Sequence, residues 1–170
     1  MPVDTIIFGT GFHSTEFLSP LRITGREGRD LNEVWADGAH AYLGLTVAGF
    51  PNLFMLYGPN TNLGHNSILF MIEQQVGYIR SLLVDMVRED AVAAEVTDAA
   101  MQRYDAEIEQ LAERTVWAED CHSWYKTESG RITNNWPDYT VRYRRRLRRR
   151  VPDDVTLTPR ARTARPARVS

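Results

Sequence analysis

The sequence predicts an α/β fold that holds only part of a doubly wound sheet. Two apolar runs, at residues 3–8 and 53–57, predict buried strands, and a glycine turn follows each of them. The second turn leads into a long amphipathic helix, an order typical of the nucleotide-binding edge of such sheets. The three residues before Asp4 leave no room for the first βαβ unit, so we expect an incomplete fold.

The predicted elements of the first third of the chain are short. The strand at residues 3–8 ends in Gly9-Thr10-Gly11, where the backbone can approach a neighbour closely. Residues 17–50 alternate short apolar pieces with Gly, Pro and Asp, so we expect an ordered loop region with a short helix and a strand. Pro51-Asn52 predicts the turn into the second strand, and Gly58-Pro59-Asn60 ends that strand.

The clearest predicted helix follows a polar loop, and Asn66 or Ser67 can cap its first turn. Its apolar positions recur every three or four residues: Ile68, Ile72, Val76, Ile79, Leu83 and Met86. Gly77 interrupts this pattern. Because glycine destabilises a helix by up to about 1 kcal/mol relative to alanine, we expect a neighbour packed closely against it.

A second helix is predicted from Asp98 to Arg114, with Thr97 as its N-cap. Its apolar face carries Met101, Tyr104, Ile108 and Leu111. The opposite face is acidic, and we expect it to be solvated. Aromatic residues are frequent over residues 115–143 without a clear period. Residues 151–170 have few large apolar groups, which predicts a disordered tail rich in Arg and Pro.

Composition limits the classes of protein that fit this chain. It has 170 residues, a length typical of one domain, and no run of roughly 18 apolar residues that could span a membrane. Its single cysteine, Cys121, excludes an internal disulfide and favours a reducing, cytoplasmic location. Neither CxxC nor HExxH spacing occurs, so we expect no metal site.

Charge is distributed unevenly along the chain. The net charge is −2, yet residues 142–170 hold eleven Arg and two Asp, a local net charge of +9. Such a segment can bind nucleic acid or another polyanion. However, arginine outnumbers lysine nineteen to one over the whole chain, which reflects the base composition of the gene as much as a partner. We therefore do not expect nucleic acid as a partner.

The turn Gly58-Pro59-Asn60 and the helix after it are where chemistry is expected. The first N–H groups of a helix have no partner within the helix, and the helix dipole adds partial positive charge there. An anion or an electron-rich ring is favoured at such a position. Alone, this arrangement is common among α/β proteins and identifies no function.

Four stretches of the sequence together resemble the C-terminal part of class B flavoprotein monooxygenases, above all those of the Baeyer–Villiger type. They are Asp4 to Phe12; Ile23-Thr24-Gly25-Arg26-Glu27-Gly28 with Ala41-Tyr42-Leu43-Gly44; Gly49-Phe50-Pro51-Asn52-Leu53-Phe54 through Gly58-Pro59-Asn60 to Ile72-Glu73-Gln74-Gln75; and Cys121-His122-Ser123-Trp124-Tyr125 with Trp136-Pro137. The resemblance spans roughly residues 3–150, in order and with the family's spacing.

The resemblance implies an incomplete Rossmann-like FAD- and NAD(P)-binding fold and an enzyme that uses FAD and NADPH. Such an enzyme inserts one oxygen atom from O2 into a ketone, or oxidises a soft heteroatom in a small organic substrate such as a sulfide or an amine. Residues 1–12 would be a strand and linker from the NADP domain, and residues 13–150 the C-terminal part of the FAD domain. Residues 151–170 would be the tail.

The resemblance also implies cofactor contacts, whereas it implies no catalytic residue in this chain. The cofactor-binding positions are Thr10, Gly11 and Phe12 at the junction of the two domains, Gly58, Pro59 and Asn60 beside the FAD, and Asn66 and Ser67 at the start of the helix that faces the isoalloxazine ring.

The family's GxGxxG phosphate loops are absent from the sequence. We therefore expect the phosphate loops on a missing N-terminal nucleotide-binding half, and we expect this chain alone to be inactive and marginally stable. The alternatives that stay open are a truncated chain, a start codon assigned too late, one half of a split enzyme, and a non-catalytic module whose basic tail binds a polyanion.

Overall fold

A computed structural model describes residues 2–9, 15–64, 66–118, 125–127 and 129–161. The helices are α1 (Leu31–Val34), α2 (Ile68–Arg88), α3 (Asp98–Ala112) and α4 (Thr140–Arg148), and the strands are β1 (Ala91–Val96) and β2 (Val155–Pro159). Short 3-10 turns lie at Arg26–Gly28, Val116–Ala118 and Pro152–Asp154. The predicted α/β class is confirmed. Within the described ranges, no helix has both the length and the apolar character that crossing a bilayer requires.

The core lies between α2, α3, α4 and a long loop at residues 39–63. The largest fully buried side chains come from α2, α4, the segment before α4 and the long loop: Trp136, Tyr143, Phe50, Leu43, Leu45, Met71 and Leu82. The rings of Trp136 and Tyr143 meet edge to face with centroids 5.0 Å apart, an arrangement that aromatic pairs favour. This pair fixes α4 and the segment before it against the rest of the core.

The helix α3 forms as predicted. Thr97 is its N-cap, and the Thr97 hydroxyl accepts a hydrogen bond from the backbone N–H of Ala100 at 3.2 Å. The predicted face is buried at Met101, Tyr104 and Ile108, and Leu111 is half-buried. The acidic face is not simply solvated, because Asp105 contacts His40 at 2.7 Å and Glu107 pairs with Arg146.

The helix α2 begins after Ser67, as predicted, but its buried stripe differs from the predicted one. The inner face of α2, defined as Met71, Gln75, Tyr78 and Leu82, is buried within this chain. The outer face of α2, defined as Leu69, Val76, Leu83 and Val87, is 48% to 82% exposed. Two residues of the predicted stripe, Val76 and Leu83, belong to the outer face, and its other four residues are half-buried. A Cβ added at Gly77 would meet no atom within 4 Å, so the close neighbour expected there is absent from the described residues.

The strands β1 and β2 pair antiparallel, with Val96 opposite Val155. The other edge of β1 is closed by Asn52. The backbone N–H of Asn52 donates to the carbonyl of Ala94 at 3.0 Å, and its side chain bonds the N–H of Ala94 at 3.0 Å and the carbonyl of Val92 at 3.1 Å. A single loop residue thus takes the place of a third strand.

The strand β2 corrects the prediction of a disordered tail over residues 155–159. Val155-Thr156-Leu157-Thr158 carries an alternation of apolar and polar side chains that matches a strand with one half-buried side and one exposed side. Asp154, just before it, is also buried. Residues 162–170 lie outside the described residues.

Neither of the two predicted strands in the first 60 residues forms. Residues 3–8 make no strand, and Ile7 and Phe8 are 90% and 82% exposed. Residues 53–57 also make no strand, although the N–H of Met55 donates to the carbonyl of Leu45 at 2.7 Å. A strand needs neighbours to which its backbone can bond, and the described residues offer neither run a ladder.

Candidate functional site

The turn Gly58-Pro59-Asn60 packs backbone to backbone against the turn at Gly44. A Cβ at Gly58 would lie 2.4 Å from the carbonyl oxygen of Gly44, and a Cβ at Gly44 would lie 2.1 Å from Cγ2 of Thr61. Gly44 also has a φ of 65°, in the left-handed region that favours glycine. Both positions therefore require glycine, which brings the two turns into direct contact.

Asn60 is buried, and its N–H donors are used within the chain. Its backbone N–H donates to the carbonyl of Thr133 at 2.7 Å. Its side-chain amide donates to the carbonyl of Ile132 at 2.8 Å and to that of Asn135 at 3.3 Å. The amide of Asn62 continues this pairing with the side-chain oxygen of Asn135 at 3.0 Å. Asn60 thus ties its turn to the segment before α4, and its amide donors are already engaged.

The start of α2 is open to solvent. Ser67 occupies the N-cap position without a side-chain hydrogen bond to the helix, and no acidic residue lies in the first turn of this described helix. The side chain of Asn66 donates to the hydroxyl of Thr140 at 3.0 Å and accepts from the N–H of Ser67 at 2.7 Å. The free N–H groups and the positive end of the helix dipole are therefore available to a ligand that carries negative charge.

A buried chain of hydrogen bonds supports this site from the inner face of α2. Oε1 of Gln75 accepts from the N–H of Tyr57 at 2.9 Å, and Nε2 donates to the hydroxyl of Tyr143 at 2.9 Å. That hydroxyl donates to the carbonyl of Leu43 at 2.7 Å. Burial raises the pKa of Tyr143, so the hydroxyl keeps the proton that it donates. The sequence does not predict this link between Gln75 and Tyr143. The one signal for it is a glutamine among apolar residues on one face of a helix.

The structure divides the predicted site residues into two groups. Gly58, Pro59 and Asn60 are buried, so they shape the site through the backbone. Asn66 and Ser67 are exposed where α2 begins, and Leu56 and Tyr57 are exposed before the turn. Thr10, Gly11 and Phe12 lie outside the described residues, so their role stays a prediction.

These residues fit the isoalloxazine end of a flavin and not its phosphate end. A reduced isoalloxazine ring carries negative charge, which matches the open, positive start of α2. A pyrophosphate needs a glycine-rich loop that leads into a helix. The glycine-containing segment at residues 25–28 instead makes a 3-10 turn, and Gly25 is packed against Phe50. The chemistry of the described residues therefore suits the isoalloxazine end of a flavin.

A cavity of about 790 Å³ lies elsewhere, between residues 15–19 and the segment that follows α1. Its walls include Trp35, Asp37 and Thr127. No predicted site residue that the structure describes lines this cavity, so its volume does not mark the site.

Sequence relatives cover most of the chain. A Baeyer–Villiger monooxygenase of Pseudomonas aeruginosa is 45% identical over 144 residues, which cover 84% of this chain and 27% of that protein. The FAD-binding monooxygenase ktnD of Aspergillus niger is 43% identical over 149 residues, which cover 85% of this chain and 24% of that protein. The chain thus spans about a quarter of the length of the curated relatives it matches. No family model matches it.

Solved structures agree with these relatives. The complex of OTEMO with FAD and NADP matches with a TM-score of 0.75 and 27% identity, over 88% of this chain and 28% of that chain. An oxidised steroid monooxygenase bound to NADP matches with a TM-score of 0.71 and 28% identity, over 81% of this chain and 27% of that chain. Sequence and fold therefore lead to the same group of enzymes.

Proposed function

The chain belongs to the class B flavoprotein monooxygenases of the Baeyer–Villiger type, and we propose that it forms the isoalloxazine-side part of such an enzyme. The complete enzyme binds FAD, uses NADPH, and inserts one oxygen atom from O2 into a ketone or oxidises a soft heteroatom of a small organic substrate. The observation that carries this proposal is the 45% identity to a Baeyer–Villiger monooxygenase over 84% of the chain. With one cysteine, the chain suits the reducing cytoplasm.

The role of this chain in that reaction is to hold and orient the cofactor. When bound, the FAD supplies the redox chemistry that activates oxygen. The backbone N–H groups at the start of α2, beside Asn66 and Ser67, stabilise negative charge on the isoalloxazine ring. The Gly44–Gly58 contact and the hydrogen bonds of Asn60 fix the turn before α2. The Gln75–Tyr143 link holds the backbone of Tyr57.

We infer that the phosphate loops lie on a different part of the enzyme, since this chain has no GxGxxG segment. The purified chain, mixed with FAD and NADPH, should therefore neither retain flavin on gel filtration nor oxidise NADPH. Retention of one FAD per chain together with NADPH turnover would show that no further part of the enzyme is required.

A chimaera gives the positive test. The matching quarter of the Pseudomonas aeruginosa relative is replaced by residues 3–150 of this chain. We expect the chimaera to retain FAD and to oxidise NADPH, because the site would then contain both its phosphate end and its isoalloxazine end. A folded chimaera that binds no flavin contradicts the proposal.

A charge change in the chimaera tests the start of α2 directly. Asn66→Asp keeps the shape of the side chain but adds negative charge beside the ring, so flavin reduction by NADPH should slow on the order of tenfold. The matched control is Gln110→Glu, which adds the same charge on the exposed side of α3. Equal rates in the two variants would show that α2 does not face the ring.

The alternative, a polyanion-binding module, has weaker support. In and beside α4, Arg142 pairs with Asp138, Arg146 with Glu107 and Arg150 with Asp85. Part of the basic run therefore holds the fold together. Binding to duplex DNA that falls steeply with salt, and that is lost when residues 142–170 are removed, would favour this alternative.

A further inference from the structure

A small polar pocket between α3, α4 and the Pro152–Asp154 turn has no part in the proposed reaction. Its volume is about 170 Å³, which leaves room for a small ion. Its charged lining consists of four arginines, Arg103, Arg146, Arg149 and Arg150, and two carboxylates, Glu107 and Asp154. The walls therefore carry more positive than negative charge.

The ion pairs in and around this pocket leave some N–H donors of its arginines without a partner carboxylate. Arg103 pairs with Asp154, and Arg146 pairs with Glu107. Arg150 pairs with Asp85, which lies outside the lining. Arg149 is exposed and makes no ion pair with any residue that the structure describes. Because each guanidinium has five N–H donors in a fixed plane, the four arginines retain hydrogen-bonding capacity towards a further anion.

A tyrosine in the same wall gives an independent indication. Tyr104 is buried, and its hydroxyl has no hydrogen-bond partner among the described residues. The guanidinium of Arg146 lies 5.4 Å from the centre of its ring, and Tyr42 packs against it edge to face. A buried hydroxyl without a partner commonly marks a place where a folded protein holds a water molecule or an ion.

We propose that this pocket binds a phosphate-sized dianion, either as free phosphate or as the phosphoryl group of a small ester. Arginine guanidinium groups recognise phosphate through paired N–H donors, and Arg149 supplies the charge that the internal carboxylates do not neutralise. Binding there would link α3, α4 and the turn before β2.

The test uses the 170-residue chain and two probes, inorganic phosphate and glycerol 3-phosphate. Calorimetric titration is expected to show one site per chain for at least one probe, with affinity that falls as potassium chloride is added. Arg149→Ala should weaken that binding by about tenfold, since a charge-assisted pair of hydrogen bonds is lost. Arg149→Lys should recover part of the affinity, because the charge returns without the planar fork.

The matched control is Arg144→Ala, which removes an exposed arginine of α4 outside the pocket. Unchanged binding in this variant supports the proposal. Equal losses in the Arg149 and Arg144 variants, or binding of neither probe by the folded chain, overturn it. Stronger binding of glycerol 3-phosphate identifies an ester as the source of the phosphate, whereas binding of inorganic phosphate alone identifies the free ion.

Discussion

The two long helices of this chain are both amphipathic, but they differ in how many faces need a neighbour. The helix α3 has one apolar face, which is buried, and its other face carries carboxylates that meet arginine and histidine side chains. The helix α2 has a buried inner face and an outer face that is apolar and exposed.

The difference shows which apolar helix faces are covered by other residues of this chain. Burial of a Leu-sized side chain stabilises a fold by roughly 1.5–3 kcal/mol, so an apolar face without a cover forgoes that stabilisation. The chain also spans about a quarter of its relatives' length. We therefore expect the outer face of α2 to contact the remaining part of the enzyme, while α3 needs no further neighbour.

The largest effect is expected from the inner face of α2. Leu82 is 1% exposed, so Leu82→Ala leaves a cavity and should lower the free energy of unfolding by about 2–5 kcal/mol. Urea denaturation followed by circular dichroism measures this loss. A change below about 1 kcal/mol would mean that the inner face is not packed as described.

The buried glutamine comes next. Gln75→Leu keeps the size of the side chain but leaves the N–H of Tyr57 without its acceptor, so we expect a loss of about 1–3 kcal/mol. The control Gln102→Leu, on the exposed side of α3, should change little. If both variants unfold at the same urea concentration, the Gln75–Tyr143 link does not stabilise the fold.

Alkaline pH should weaken the same inner face. Burial raises the pKa of Tyr78 to about 12, whereas a tyrosine in the unfolded chain ionises near pH 10. Between these values the folded chain keeps a proton that the unfolded chain has lost. The contribution of Tyr78 to the free energy of unfolding is therefore fully present below pH 10 and falls by about 1.4 kcal/mol per pH unit as the pH rises towards 12.

The variant Tyr78→Phe isolates this contribution, because it cannot ionise. From pH 9 to pH 12, the free energy of unfolding of the parent should fall relative to that of the variant by about 1.4 kcal/mol per pH unit above pH 10. Parallel curves would assign the alkaline loss to other groups, such as Tyr104 and Tyr143, whose pKa values burial also raises.

The smallest effect in the chain alone is expected on the outer face of α2. Leu83→Ala should change the free energy of unfolding by less than about 0.5 kcal/mol, because Leu83 is 48% exposed. In the chimaera described above, the same substitution should have an effect of about 2 kcal/mol or more if the relative's remaining part covers this face. Equal, small effects in both proteins would show that the outer face stays uncovered.

Local signals account for what could be predicted from the sequence. The cap at Thr97, the face of α3 and the start of α2 follow from residues close together in the chain, and all three are confirmed. The strand at residues 53–57 and the tail at residues 155–159 depend on partners far away. The first lacks a ladder among the described residues, and the second finds one in β1. The sequence pattern indicates which face of a helix or strand is apolar, but it does not indicate which neighbour covers that face.

The local structure around the candidate site could be predicted from the sequence, but its tertiary contacts could not. The turn at Gly58 and the start of α2 follow from glycine and helix periodicity. The burial of the Asn60 amide and the Gln75–Tyr143 link do not, because their partners lie about 70 residues away.

Asn52 has a consequence for how the chain behaves at high concentration. A β-strand with an open edge acts as a template on which further copies can add, and growth of fibres begins in this way. Asn52 occupies the edge of β1 that faces away from β2, and its backbone has a φ of 61°, a conformation that asparagine tolerates better than most residues. Asn52 therefore occupies the backbone groups of β1 with which a further strand would pair. Asparagine at this position therefore disfavours the addition of further copies at this edge of β1.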